Sequence, residues 1–196
     1  MNSREAILND LRRNSPTVSP LPEYPMATIY ADPEAQFAEI FASVGGTFYR
    51  VPDLAALDTE LRKLDLYTGA HKIVSLVPGA GVSTVGVSAM QQPRELEGVD
   101  LAIIAGDFGV AENGAVWVPG KNLGKQRAIF VICEHLVLVV SAGQIVHTMQ
   151  HAYDRIRFER PGFGLFISGP SKTADIEQSL VVGAHGARSC TLFLVG

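Results

Sequence analysis

The chain has 196 residues, 47% of them hydrophobic and 18% charged, with a formal net charge of −4. That balance gives no electrostatic footing for nucleic acid or an anionic membrane surface, and no apolar run approaches the roughly 20 residues that span a bilayer. The length fits one domain with a short appendage. Because the polar stretch Met1–Arg13 lacks the apolar core of a signal peptide, a cytoplasmic location is expected.

Met1 to Leu11 has the spacing of a short helix, with Ile7, Leu8 and Leu11 apolar. Pro16, Pro20, Pro22 and Pro25 then predict an extended linker. Residues 1–25 are thus read as a helix and proline-rich linker, and 26–196 as one α/β domain. Asp32-Pro33 suits an N-cap and first helical position. Phe37, Ile40, Phe41 and Val44 form the apolar stripe behind it, and Gly45-Gly46 stops the helix. Thr47–Val51 reads as a strand. Asp53 caps a following helix with Leu54, Leu57, Leu61 and Leu64 on one side, and Lys72–Val77 reads as a central strand. The loop Pro78–Gly86 carries glycines in the order G-x-G-x-x-x-x-G. That spacing fits neither the dinucleotide fingerprint nor a phosphate loop, so the expectation is a flexible loop at the sheet's edge, with the border of a ligand crevice as the second reading.

Val99–Ala105 is another apolar strand. Asn113-Gly114, set between apolar residues, marks a hairpin turn, which gives Glu112 the plain role of a polar residue entering that turn. Gln126–Val140 is mostly apolar but interrupted by Cys133-Glu134-His135. His135 stands ahead of a strand, either facing a crevice or hydrogen-bonded within the structure. Cys133 and Cys190 are too few for a disulfide framework or a four-ligand iron–sulfur cluster. Both read as buried free thiols, and no cofactor is expected to be held by this chain. Gly143–Ile156 has helical spacing. His147 and His151 stand four apart on its polar side with no glutamate between them, which favours a solvated pair over a metal site.

The stretch Gly164–Val195 has a strand-helix-strand rhythm: Leu165, Phe166 and Ile167, a turn at Ser168–Ser171, a helix, then Thr191–Val195. In the helix reading Pro170 and the neighbouring hydroxyls start it, Asp175 and Glu177 favour its dipole, and Ile176, Leu180 and Gly183 follow one face. Lys172 is then a cation at the wrong end of the dipole. It is either a solvated lysine on a capped helix or, with Gly169, Ser171, Thr173 and the free backbone N–H groups, part of an anion site for a carboxylate or phosphate.

These residues resemble a known signature. G-P-S-x-T-x-D-I-E followed by G-x-H-G-x-R is matched by Gly169, Pro170, Ser171, Thr173, Asp175, Ile176 and Glu177, then Gly183, His185, Gly186 and Arg188. It resembles the C-terminal signature of the LUD domain, the lactate-utilisation protein family, and within it the small C-type subunit. Asp107, Ala111, Glu112 and Gly114 match a second family pattern, D-x-x-I-A-E-[ST]-G-T. Asn113 departs from it toward the S-E-N-G of class I CoA-transferases, whose glutamate is a covalent nucleophile. The resemblance implies an α/β fold of the CoA-transferase/ribose-phosphate-isomerase-like kind, with a largely parallel sheet flanked by helices. It also implies a non-cluster component of a system oxidising lactate to pyruvate beside two iron–sulfur proteins; the candidate substrate- or anion-binding residues of this chain are Gly169, Ser171, Lys172, Thr173, His135 and His185. The alternatives are a stand-alone enzyme acting through Glu112 on a small acyl or phosphorylated substrate, and a scaffold whose crevice is vestigial.

Overall fold

The computed structural model describes residues 2–16, 19–20, 28–87, 90, 92–157, 162–174, 180–182 and 185–196, with the side chains of 173–174 and 180–182 left aside. Helix α1 (Ser3–Arg13) opens the chain with a reciprocal cap between Asn2 and Glu5, and none of its residues is buried. Helix α2 (Pro33–Ser43) begins as its sequence dictates. The Asp32 carboxylate accepts the Ala35 N–H at 3.0 Å, and Phe37 and Phe41 are fully buried. Strand β1 (Thr47–Val51) and helix α3 (Leu54–Leu61) follow, the latter capped by Asp53, which accepts from Ala56 at 2.8 Å. Leu57 and Leu61 are buried, whereas Leu54 stands exposed at the helix start. After the short α4 (Asp65–Thr68) come β2 (Ile73–Ser75), β3 (Leu101–Ala105) and the hairpin β4 (Phe108–Val110) with β5 (Ala115–Pro119). Gly114 turns that hairpin at φ +64°, where a Cβ would meet the Phe41 backbone at about 3 Å.

The second half holds α5 (Ile129–Ile132), β6 (His135–Ser141), β7 (Ile145–Val146), α6 (Met149–Arg155), β8 (Gly164–Ile167), β9 (Lys172–Ala174), β10 (Leu180–Val182) and β11 (Ser189–Val195). The main sheet runs β1-β11-β6-β3-β2 with every pair parallel. A second, four-stranded sheet has the order β7-β4-β5-β8. Alternation along the main strands divides the core. Leu101, Ile103, Val137, Val139 and Phe193 meet Leu57 and Leu61 of α3 on one face. Ala102, Ile104, Leu138, Val140, Leu192 and Leu194 meet Phe37 and Phe41 of α2 and the second sheet's Val116 and Val118 on the other. This is the expected α/β architecture of a mostly parallel sheet flanked by helices, with a smaller mixed sheet added.

Three local expectations are corrected. Strand β2 is an edge strand, not a central one. Its apolar run still makes sense, because Ile73 and Val74 are buried on the two faces and the 78–86 loop covers its free side. The segment 143–156 is not one helix: Ile145–Val146 pairs with β4 before α6 begins, because β-branched residues next to an open strand favour pairing. The helix expected after the Ser168–Ser171 turn is replaced at both ends by strands, β9 pairing antiparallel with β10. Thr173, Val181 and Val182 supply strand propensity, and serine, glycine and proline serve a turn as readily as a helix start. Asp175, Ile176, Glu177 and Gly183 lie outside the described residues.

Candidate functional site

Strands β6 and β11 start side by side, Ser189 opposite His135, and polar residues collect at that amino end. His135 is half-buried, and its Nδ1 shares a 2.7 Å hydrogen bond with Ser189 Oγ. One position earlier, the Arg188 N–H donates to the Glu134 carbonyl at 2.8 Å, and the Arg188 guanidinium donates to the Glu134 carboxylate at 2.7 Å. The side chains of that ion pair are 67% and 42% exposed, so water screens it and its net worth is about 0–1 kcal/mol.

Two hollows flank the pair. An open groove of about 450 Å³ is lined by Val131, Ile132, Cys133, Glu134, His185, Gly186 and Arg188. A smaller cleft of about 230 Å³ lies on Glu134's other side, among Asp65, Asp100 and His135. Asp100 has a structural task there: it accepts the N–H groups of Lys72 and His71 at 2.8 and 2.7 Å. Those bonds, Lys72's foremost, hold its carboxyl below the usual carboxylate range. Among the described residues no group of three or more His, Cys, Asp or Glu is placed to hold a metal ion.

Part of the proposed anion turn converges on this groove. Ser171 donates its N–H to the Ala187 carbonyl at 2.8 Å, and a Cβ on Gly186 would meet Ser171 Cβ at 2.9 Å, so Ser171 lies directly behind the groove wall. His185 is exposed on the rim. Gly169 makes the preceding turn at φ +72°, packed against the Val44 carbonyl. Lys172 is exposed in β9 beside Gly45, and Thr173 pairs with Val181. The turn therefore enters a strand, with its Ser171 N–H already engaged, and a helix-end anion cradle does not form at 171–174.

Glu112 sits elsewhere. It is exposed just beyond β4, and its Oε2 accepts the Met149 N–H at 2.8 Å. It thereby caps α6 from another element, since the N-cap Thr148 makes no side-chain cap bond of its own. His147 and His151 do not form an i,i+4 helical pair. His147 Nδ1 accepts the Tyr30 N–H at 3.1 Å, and His151 Nδ1 shares a 2.8 Å bond with Thr148 Oγ1. The 78–86 loop is also committed internally. Gly81 donates to Asp58 at 2.7 Å and Val82 to the Tyr67 hydroxyl at 3.2 Å. The Ser83 and Thr84 hydroxyls accept from Ser75 and Ile73, both at 2.8 Å, sealing the free edge of β2.

The LUD domain family model matches residues 62–195, more than half of the chain and all but one of the main-sheet strands. The chain belongs to the LUD domain family. Relatives named lactate utilization protein C align with it. The protein from Shouchella clausii is 37% identical over 99 residues, covering 47% of this chain and 42% of the relative. The one from Halalkalibacterium halodurans is 33% identical over 104 residues, covering 50% and 45%. The chain thus aligns over less than half the length of these curated relatives. A crystal structure of a DUF162 family protein from Deinococcus radiodurans superposes with a TM-score of 0.58 over 84% of this chain and 96% of that one, at 17% identity, which shows the shared fold.

For this LUD domain, sequence reasoning missed Glu134 and Arg188 as a pair. The available signal was that each stands immediately before an apolar strand. In a parallel pair such residues share one sheet end, but only the strand order makes β6 and β11 neighbours.

Proposed function

We propose that this chain is the non-cluster component of a system that oxidises lactate to pyruvate in the cytoplasm, with the iron–sulfur clusters carried by two partner proteins. The observation that carries this reading is the LUD match over residues 62–195, together with relatives whose names state lactate utilisation. The thiols agree with a division of labour. Cys133 and Cys190 are both buried, and two thiols are fewer than the four that a standard cluster takes. No described helix is long and apolar enough to cross a membrane. The alternative, acyl transfer through Glu112, has less behind it, because the Oε2 of that carboxylate already has a structural task in accepting the Met149 N–H at the start of α6. Deleting the gene should abolish growth on lactate while leaving growth on pyruvate intact. Unchanged growth on lactate would remove this reading.

A further inference from the structure

We infer that the groove at the amino ends of β6 and β11 is a binding site for a small 2-hydroxy or 2-oxo monocarboxylate, with Arg188 as its anchor and Glu134 as an internal competitor for that anchor. The choice of ligand class rests on the lactate-utilisation reading; the site itself rests on geometry. A carboxylate needs a cation in a concave setting, with a polar neighbour for the α-oxygen and apolar surface for the carbon chain. The groove supplies all three: Arg188 at its wall, His185 at its rim, and Val131 and Ile132 along its side. Gly186 keeps the wall low because Ser171 already fills the space a side chain would need.

The present partner of Arg188 is a carboxylate, held at 2.7 Å in an exposed, screened pair. Such pairs are weak and exchange readily. An incoming carboxylate replaces Glu134 on the guanidinium one for one, and the Glu134 side chain turns to solvent or to the neighbouring cleft that it also lines. The Arg188 backbone stays fixed throughout, because its N–H remains bonded to the Glu134 carbonyl and Ser189 remains in register with His135. Binding is therefore a side-chain exchange on a rigid strand end.

The test is an NMR and calorimetric titration of the full chain with sodium L-lactate, pyruvate and 2-hydroxybutyrate, with sodium chloride as the ionic-strength control. Saturable shifts confined to residues 131–135 and 185–189 are expected in the millimolar range. Glu134→Gln should tighten binding by about two- to fivefold, the worth of an exposed ion pair. Arg188→Ala should weaken it by about tenfold or more, and Arg188→Lys should recover part, since an ammonium lacks the fork geometry. Thermal melts of all three variants should match the parent, which separates lost binding from lost folding. The site is overturned by lactate binding unchanged in Arg188→Ala, or by no saturable binding in any form. An unchanged affinity in Glu134→Gln overturns the competitor role. Loss of the site with growth on lactate still dependent on the gene would leave the proposed function standing and this inference refuted.

Discussion

The 78–86 loop and the 185–189 segment are similar on paper, each pairing glycine with small or hydroxyl-bearing neighbours, and each invites a ligand. Their surroundings separate them. In the first, Asp58, Tyr67, Ser75 and Ile73 take up backbone and hydroxyl groups that a ligand would need. In the second, the backbone is tied down but the charged side chains face an open groove in a screened pair. A loop that gives its hydroxyls and the Gly81 and Val82 N–H groups to its surroundings has a structural task, whatever its glycine content. Function is better sought where strong groups hold weak, replaceable partners.

The contrast is broken most forcefully at Gly81. Its φ of +64° disfavours an L side chain, and a Cβ there would stand 2.7 Å from Ile103 Cδ1. Gly81→Ala should therefore cost about 2–3 kcal/mol of unfolding free energy, measured by urea denaturation. A cost below about 0.5 kcal/mol would show the loop to be loosely held and reopen it as a ligand site.

Acid should next expose the carboxylates that hold these regions. Asp58 is pulled below its ordinary range chiefly by its hydrogen bond from Arg62, with the Gly81 N–H adding to it. Asp100 is pulled down by the Lys72 and His71 N–H groups. A depressed folded value means that each contributes stability above its unfolded pKa of about 3.9. That contribution fades as pH falls through this value and down past the folded one. Asp58→Asn and Asp100→Asn should each flatten the stability curve below about pH 4 while lowering the plateau at neutral pH. A parental acid limb in both variants would contradict the assignment.

The elements legible in the sequence were those with local causes. Asp32-Pro33 and Asp53 cap helices where their side chains can reach the third N–H onward, and Asn113-Gly114 turns a hairpin because glycine tolerates φ +64°. The illegible ones depended on neighbours. Ile145–Val146 joins a strand because β4 lies beside it, and 172–174 is a strand because 180–182 pairs with it. The groove lining divides in the same way: His185 and Arg188 stand in one sequence motif, while Glu134 reaches Arg188 only because two strands distant in sequence start together.

Glu112 gives a smaller effect and tests whether the family's glutamate is structural. Its carboxylate meets the first N–H of α6 at 2.8 Å, at the positive end of the helix. Glu112→Ala should cost about 0.5–1 kcal/mol, with Glu112→Gln in between. Incubation with short acyl-CoAs and hydroxylamine trapping should leave Glu112 unmodified. A covalent adduct at that position would move the chemistry away from the groove.

The smallest effect is expected at Lys172, and it separates two cations that stand only sixteen positions apart, Lys172 and Arg188. Were Lys172 at the start of a helix, removing it would relieve an unfavourable dipole and stabilise the fold slightly. The chain instead enters β9 there, with the side chain exposed beside Gly45 and the neighbouring Ser171 N–H already given to Ala187. A solvated strand lysine has little to lose, so Lys172→Ala should shift stability by less than about 0.5 kcal/mol in either direction. Its effect on carboxylate binding should be limited to a long-range term that disappears at high salt, since mobile ions screen charges beyond about 10 Å at 0.1 M. Arg188→Ala should keep its loss of binding at high salt, because a direct guanidinium–carboxylate contact is geometric as well as electrostatic. Titrating both variants with lactate at low and high ionic strength makes the comparison. A salt-resistant loss in Lys172→Ala equal to that in Arg188→Ala would return the anion site to the 169–173 turn.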